Sequence, residues 1–219
     1  MNRKIAVIFD MDGVIVDSNP YHKISLNQFF EKYGLSVTEE ELHEKLYGRR
    51  NQEWIPLIFN KNLTEEEIEK YSYEKEALFR KVYANDVVAL NGLEDFLKTL
   101  NDAAIPCAVG TSAPKENADF VLEKTGLGKY FDAVLHAKHV SIGKPHPDIY
   151  LKAANVLGFE PENCVVVEDS LPGVQAGLNA KAKVIGVKTT HTAEELKDCD
   201  LTIKDFTEIS LEDLARMFN

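Results

Sequence analysis

The chain has 219 residues, and 25 Lys and Arg against 36 Asp and Glu give it a formal net charge of −11. That length suits one large domain, or one domain carrying a smaller insert, and 44% hydrophobic residues suffice for a sizeable core, which excludes disordered, collagenous and low-complexity classes. The negative balance offers no basic surface for nucleic acid or an anionic membrane, so neither is expected as a partner, although a local basic pocket for a small anion stays open. Cys107, Cys164 and Cys199, odd in number and widely spaced, read as reduced thiols rather than a disulfide framework or a zinc site.

In chain order, the first predicted element is a strand, Lys4–Phe9. Arg3 and Lys4 ahead of an apolar run have the order of a signal peptide. The run stops at Asp10, however, and Asp12 and Asp17 follow, which is too short and too acidic for export. No later run is long enough to span a bilayer, and a cytoplasmic location is expected. From about Ser18 to Asn85 no strand-like run occurs. Amphipathic helices take its place, two of them opened by the capping boxes Thr38/Glu41 and Thr64/Glu67. This predicts a core of residues 1–17 and 86–219 with an inserted helical domain, 18–85.

Beyond the insert, helices and strands alternate. Predicted helices are Leu93–Asn101, Lys115–Thr125, Pro147–Leu157, Leu171–Ala180 and Ala193–Lys197; predicted strands are Ile105–Gly110, Ala133–His136, Cys164–Glu168, Lys183–Val187 and Asp200–Ile203. Most of the strands are apolar throughout rather than alternating, as in a parallel sheet covered on both faces. The fold class is therefore α/β, a doubly wound parallel sheet with an inserted all-helical domain. In such sheets ligands bind beyond the carboxyl ends of the strands, so the polar residues just after each strand are the candidates for chemistry.

Asp10 and Asp12 leave the first strand two residues apart and so project to the same side, ahead of Gly13, which permits a turn. Carboxylates that close tolerate each other when a cation lies between them or one stays protonated; a polar Asx turn is the plainer alternative. The second strand ends in Thr111-Ser112, a helix cap or a phosphate contact. Lys144 lies in a loop stiffened by Pro145 and Pro147, as a solvated residue or an anion ligand. A further strand ends in Glu168-Asp169. Singly, each is ordinary. Together they bring four acids, a lysine and a hydroxyl to one edge of one sheet, a set suited to a hard metal and a phosphate.

The order Asp10-x-Asp12-Gly13-Val14, then Thr111-Ser112, then Lys144-Pro145, then Glu168-Asp169 resembles the four motifs of the haloacid dehalogenase superfamily, over essentially the whole chain. The helical insert resembles its C1-type cap. Val14, His22, Gly143-Lys144-Pro145 with Pro147-Asp148, and Glu168-Asp169-Ser170 are most similar to the β-phosphoglucomutase and sugar-phosphatase branch. The resemblance implies a Rossmann-like core, Asp10 as the nucleophile that forms an aspartyl-phosphate, and Asp12 as general acid and base. It further implies phosphoryl contacts from Thr111, Ser112 and Lys144, and a Mg²⁺ site of Asp10, Asp12 through its main-chain carbonyl, Glu168 and Asp169.

Within the superfamily it resembles, the acid at Asp12 implies cleavage of a phosphate ester or anhydride rather than dehalogenase or phosphonatase chemistry. His22, Arg49, Arg50 and Lys75 are candidate substrate contacts. The alternatives are a helix-start histidine, two surface arginines and a solvated lysine in the charge-rich stretch Glu65–Lys81. Gly48-Arg49-Arg50-Asn51 departs from the mutase pattern. The expected function is therefore a monomeric Mg²⁺-dependent phosphatase of a small phosphorylated metabolite, most simply a sugar phosphate, ahead of a β-phosphoglucomutase, a pyrophosphatase and a non-catalytic binder. Trp54 reads as helical-domain core or pocket wall, and Gly173 and Gly177 as helix-packing residues.

Overall fold

Six short parallel strands form one sheet in the computed structural model, which describes residues 5–38, 40–42 and 50–218. They are β1 (Ala6–Phe9), β2 (Cys107–Gly110), β3 (Ala133–Leu135), β4 (Cys164–Glu168), β5 (Lys183–Val187) and β6 (Leu201–Ile203), in the spatial order β3-β2-β1-β4-β5-β6. The apolar runs are strands because both faces of the sheet are covered: every residue of β1, β2 and β4 is buried. Each fully buried aliphatic side chain contributes about 1.5–3 kcal/mol over exposure. β2 begins two residues later than its apolar run because Pro106 has no N–H for the ladder, although its carbonyl still accepts from Val7 at 3.0 Å.

The chain divides into two compact units, Met1–Asp17 with Val87–Asn219, and Ser18–Asp86. The second is helical, with α1 (Asn19–Lys32), α2 (Asn51–Phe59) and α3 (Glu65–Tyr83). Its core gathers Leu26, Phe29, Phe30, Trp54, Ile55 and Phe59. Both capping boxes form: the Thr38 and Thr64 hydroxyls accept from the Glu41 and Glu67 N–H groups at 3.2 Å, and each glutamate returns a bond to its threonine's N–H.

The sheet unit adds α4 (Leu93–Asp102), α5 (Lys115–Thr125), α6 (Asp148–Leu157), α7 (Leu171–Asn179) and α8 (Leu211–Arg216). Alternation along the strands sorts the two faces. Ala6, Ile8, Ala108, Cys164 and Val166 pack with Ile149, Tyr150 and Ala153 of α6 and Ala176 of α7. On the other face Phe9 meets Phe131 and Phe206, and Phe206 stacks on Phe96 of α4. The helix expected over 193–197 is instead a single turn. Thr192 caps it by bonding Glu195, and within five residues the chain is drawn into β6, so no second turn can form. Among the described residues no helix is long and apolar enough to cross a membrane.

Candidate active site

Strand register brings the acids together. Phe9 of β1 lies opposite Val167 of β4, and the Asp10 N–H continues the ladder onto the Val167 carbonyl at 2.9 Å. The next residues of the two strands, Asp10 and Glu168, therefore leave the sheet side by side. β1 lies between β2 and β4, so this is where the chain order reverses, the usual position of ligands in a doubly wound sheet.

Two buried like charges need a cation, and Lys144 supplies one. Its Nζ lies 2.5 Å from Asp10 Oδ1 and 2.6 Å from Glu168 Oε1, and only 8% of its side chain is exposed. Asp169 is also buried, and one oxygen from each of Asp10, Glu168 and Asp169 lies within 4.8 Å of the others. Burial is the leading influence on Asp10 and raises its pKa well above the usual carboxylate range; Lys144 opposes this, while Glu168, Asp169 and Asp12 push it higher. Burial and then the Glu168 charge raise Asp169 to about 7, against a lowering bond from Thr190. Burial also opposes the charge on Glu168, but Lys144, Tyr150 and the Ser170 N–H hold its pKa below the usual value. For Lys144, burial is outweighed by Asp10 and Glu168, and the ammonium is held above the usual lysine range.

Three carboxylates facing one ammonium leave the cluster short of positive charge. Its ligand atoms are all hard oxygens. This donor set fits Mg²⁺, and it lacks the nitrogen and sulfur that favour zinc.

Glu168 accepts from five donors: Lys144 Nζ, Tyr150 OH at 2.7 Å, and at 3.0 Å each the Asp169 N–H, the Ser170 N–H and the Ser170 hydroxyl. The same Ser170 hydroxyl accepts from the Gly173 N–H and so caps α7. Gly173 does not simply pack a helix, because a Cβ there would fall on the Glu168 carboxylate; Gly177 does pack, against Val166 and Val184. Gly13 has φ +77°, and a Cβ on it would fall on the Asp169 carboxylate. Its position lets the 12–16 turn close tightly, with the Gly13 N–H on the Val16 carbonyl at 2.7 Å. Asp12, half-buried, bridges to Val16 within this turn. Thr111 is buried and its hydroxyl accepts from the Ala113 N–H at 3.0 Å, while Ser112 is exposed. Asp10, Lys144, Glu168 and Asp169 are thus brought into direct contact or close proximity, with Asp12 near enough to act on the charges of Asp10 and Asp169.

Three contributors escape sequence reasoning. Tyr150 looks like an ordinary helix residue. Thr189 and Thr190 follow β5, where the Thr189 hydroxyl donates to the Gly13 carbonyl at 2.6 Å and the Thr190 hydroxyl donates to Asp169. Their only signal is the rule that polar residues just after strands deserve inspection.

The helical unit, taken by itself, holds the remaining candidates. Arg49 lies outside the described residues. Arg50 is the N-cap of α2, and its guanidinium is bonded to Glu53 at 2.9 and 3.0 Å. Lys75 is not a solvated lysine. It is buried, 2.9 Å from Glu76 Oε1 and 3.2 Å from His22 Nδ1, and the His22 ring stacks on Phe79 with centroids 3.8 Å apart. Glu76 also accepts from Asn51 at 2.7 Å, and Asn51 accepts from the Trp54 indole at 2.9 Å, which places Trp54 in the helical core. Burial opposes the charge on Glu76, but Lys75 first and then His22 and Asn51 hold its pKa at about 2.

The sequence pattern of the haloacid dehalogenase-like hydrolase family matches residues 7–187. A phosphorylated carbohydrates phosphatase of Thermotoga maritima is 33% identical over 175 residues, 80% of this chain and 81% of that protein. Among solved structures, a HAD hydrolase of family IA, variant 3, from Entamoeba histolytica superposes with a TM-score of 0.90 at 32% identity, covering 98% of this chain and 99% of the other. A β-phosphoglucomutase from Clostridium difficile does so with a TM-score of 0.85 at 27% identity, covering 99% and 97%. With its doubly wound sheet and its acids gathered at the strand ends, the chain belongs to the haloacid dehalogenase-like hydrolase family.

Proposed function

We propose that this enzyme is a Mg²⁺-dependent phosphatase of a small phosphorylated metabolite, in the simplest case a sugar phosphate, acting through an aspartyl-phosphate on Asp10. One observation carries the reading: Asp10 stands at the switch point of the sheet, bonded to a buried lysine and grouped with two further buried acids. Similarity to a phosphatase of phosphorylated carbohydrates supports the substrate class.

In this reading a carboxylate oxygen of Asp10 attacks phosphorus, and the phosphorus–oxygen bond to the sugar breaks. The electron pair leaves on the sugar oxygen, which takes a proton from Asp12. Water then attacks phosphorus and passes its proton to Asp12. The bond from phosphorus to Asp10 breaks, which releases inorganic phosphate and restores both aspartates. Lys144, Thr111 and the Ser112 N–H donate to the phosphoryl oxygens, so that the protein contributes mainly position and charge. Asp10, Asp169 and the Asp12 main-chain carbonyl would hold Mg²⁺, with Glu168 adding charge. When bound, the ion would neutralise the carboxylates and the phosphoryl oxygens they face.

His22 and Lys75 are proposed as substrate contacts of the helical unit. Hydrolysis is preferred to mutase chemistry because Gly48-Arg49-Arg50-Asn51 departs from the mutase pattern. Phosphate release measured over sugar phosphates, nucleotides and pyrophosphate, beside a coupled assay for glucose 6-phosphate from β-glucose 1-phosphate, tests the reading. Turnover of sugar phosphates that is lost in Asp10→Asn is expected. Asp10→Asn with wild-type turnover, or isomerisation outrunning phosphate release, would overturn it.

A further inference from the structure

Tyr150 is a tyrosine where the core asks only for an aromatic ring. It lies in the first turn of α6, 1% exposed, among Ile8, Ala108, Ala153 and Val166. Phenylalanine would fill that volume without a buried hydroxyl to satisfy. The hydroxyl donates to Glu168 Oε1 at 2.7 Å, the same oxygen that accepts Lys144 Nζ at 2.6 Å. The ring itself lies beneath the ammonium, with Nζ 4.8 Å from its centroid.

The ring has little room to move. Gly110 ends β2 on the face that Ala108 and Ile8 share, and a Cβ on it would lie 3.2 Å from Tyr150 Cε1 and 3.3 Å from Ile8 Cγ2. Tyr150 therefore touches or adjoins residues at the ends of three central strands and the loop that carries Lys144.

We propose that Tyr150 is a positioning residue, which holds the Lys144 ammonium on Asp10 by fixing Glu168 Oε1 from one side and lying under the cation from another. Without the hydroxyl, Glu168 Oε1 has one donor fewer and draws Lys144 toward itself and away from Asp10. The inference rests on the reading of Asp10 and Lys144 as the phosphoryl-transfer pair.

Tyr150→Phe keeps the ring and removes only the hydroxyl. Its melting temperature is expected to fall by only several degrees, which leaves it folded at the assay temperature, and KM to stay close to wild type, while kcat falls about ten- to a hundredfold as Lys144 shifts off Asp10. Gly110→Ala, which crowds the ring and removes no polar group, is expected to lower kcat in the same direction with KM little changed. Tyr150→Phe with wild-type kcat would overturn the inference, as would a fall in kcat matched by the loss of folded protein. Asp10→Asn is assayed alongside. If it is dead while Tyr150→Phe is fully active, only this inference falls; if it turns over normally, the underlying reading falls and takes the inference with it.

Discussion

Replacing Lys144 by methionine removes the cation that directly bridges Asp10 and Glu168 while keeping most of the side-chain volume. At an effective dielectric of about 20, each contact near 2.5 Å is a gross attraction of roughly 6–7 kcal/mol. Desolvation of the ammonium and repulsion between the carboxylates it joins offset most of that, and a carboxylate left alone can take up a proton. The net cost of breaking a buried pair is then about 3–5 kcal/mol. For a chain of this length that corresponds to a fall in melting temperature of about 6–20 °C. The cost depends on pH in a definite direction. Lys144 has its folded pKa raised, so its contribution is fully present below the ordinary lysine value and is lost only above it. In the variant the unpaired acids are worst tolerated when ionised, so the deficit should be largest near pH 8 and shrink toward pH 5 as they protonate. Mg²⁺ should recover part of it at the higher pH. Melting curves at the two pH values with and without Mg²⁺, beside phosphate-release kinetics, read all of this; kcat should fall at least about a hundred- to a thousandfold. A variant that melts with wild type near pH 8 and keeps its kcat would refute the reasoning.

The raised pKa of about 7 at Asp169, caused by burial and then by Glu168, makes its proton a competitor of the metal. Mg²⁺ affinity measured by calorimetry should be about tenfold weaker at pH 6 than at pH 8, with protons released on binding. In the metal-free protein the same raised pKa favours folding at low pH, and that gain is lost as pH rises through about 7. Gly13→Ala forces a left-handed backbone and drives a methyl into the Asp169 carboxylate, so Mg²⁺ affinity and kcat should both fall about tenfold or more. Glu76→Gln leaves Lys75 buried with its counter-charge removed and should cost about 3–5 kcal/mol at pH 7 by denaturant titration. Because the Glu76 pKa is depressed to about 2, that contribution is present above the ordinary glutamate range and lost as pH falls toward 2, where variant and wild type should converge.

The sheet is legible in the sequence because burial on both faces leaves runs such as Val165-Val166-Val167 with no other use, and β4 and β5 begin and end where those runs do. The acids are legible because charged residues at the ends of such runs have few structural reasons to be there, and Lys144 because it stands in a loop flanked by Pro145 and Pro147 that resembles a family motif. Contacts made by neutral or ordinary-looking residues are not. Tyr150 and Thr190 act through single hydroxyl groups, and no residue pattern separates them from other helix and loop positions. The burial of Lys75 is hidden for the opposite reason. The residue sits in a run dense with charge, and only the packing of Glu76, Phe79 and Tyr83 on one side of α3 reveals that this part of the helix is buried. The turn at 193–197 carries a capping box like a true helix start, and its length is set by the distance to β6 rather than by local preference.

The covalent role of Asp10 is the centre of the mechanism, and trapping tests it most directly. Enzyme turning over a sugar phosphate with Mg²⁺ is quenched in acid, reduced with borohydride and digested, and the peptide containing Asp10 is read by mass spectrometry. An aspartyl-phosphate is reduced to homoserine, so homoserine is expected at position 10, dependent on both substrate and Mg²⁺ and absent from Asp12. Unmodified Asp10 in enzyme quenched during rapid turnover with the phosphoenzyme captured at another residue would contradict it.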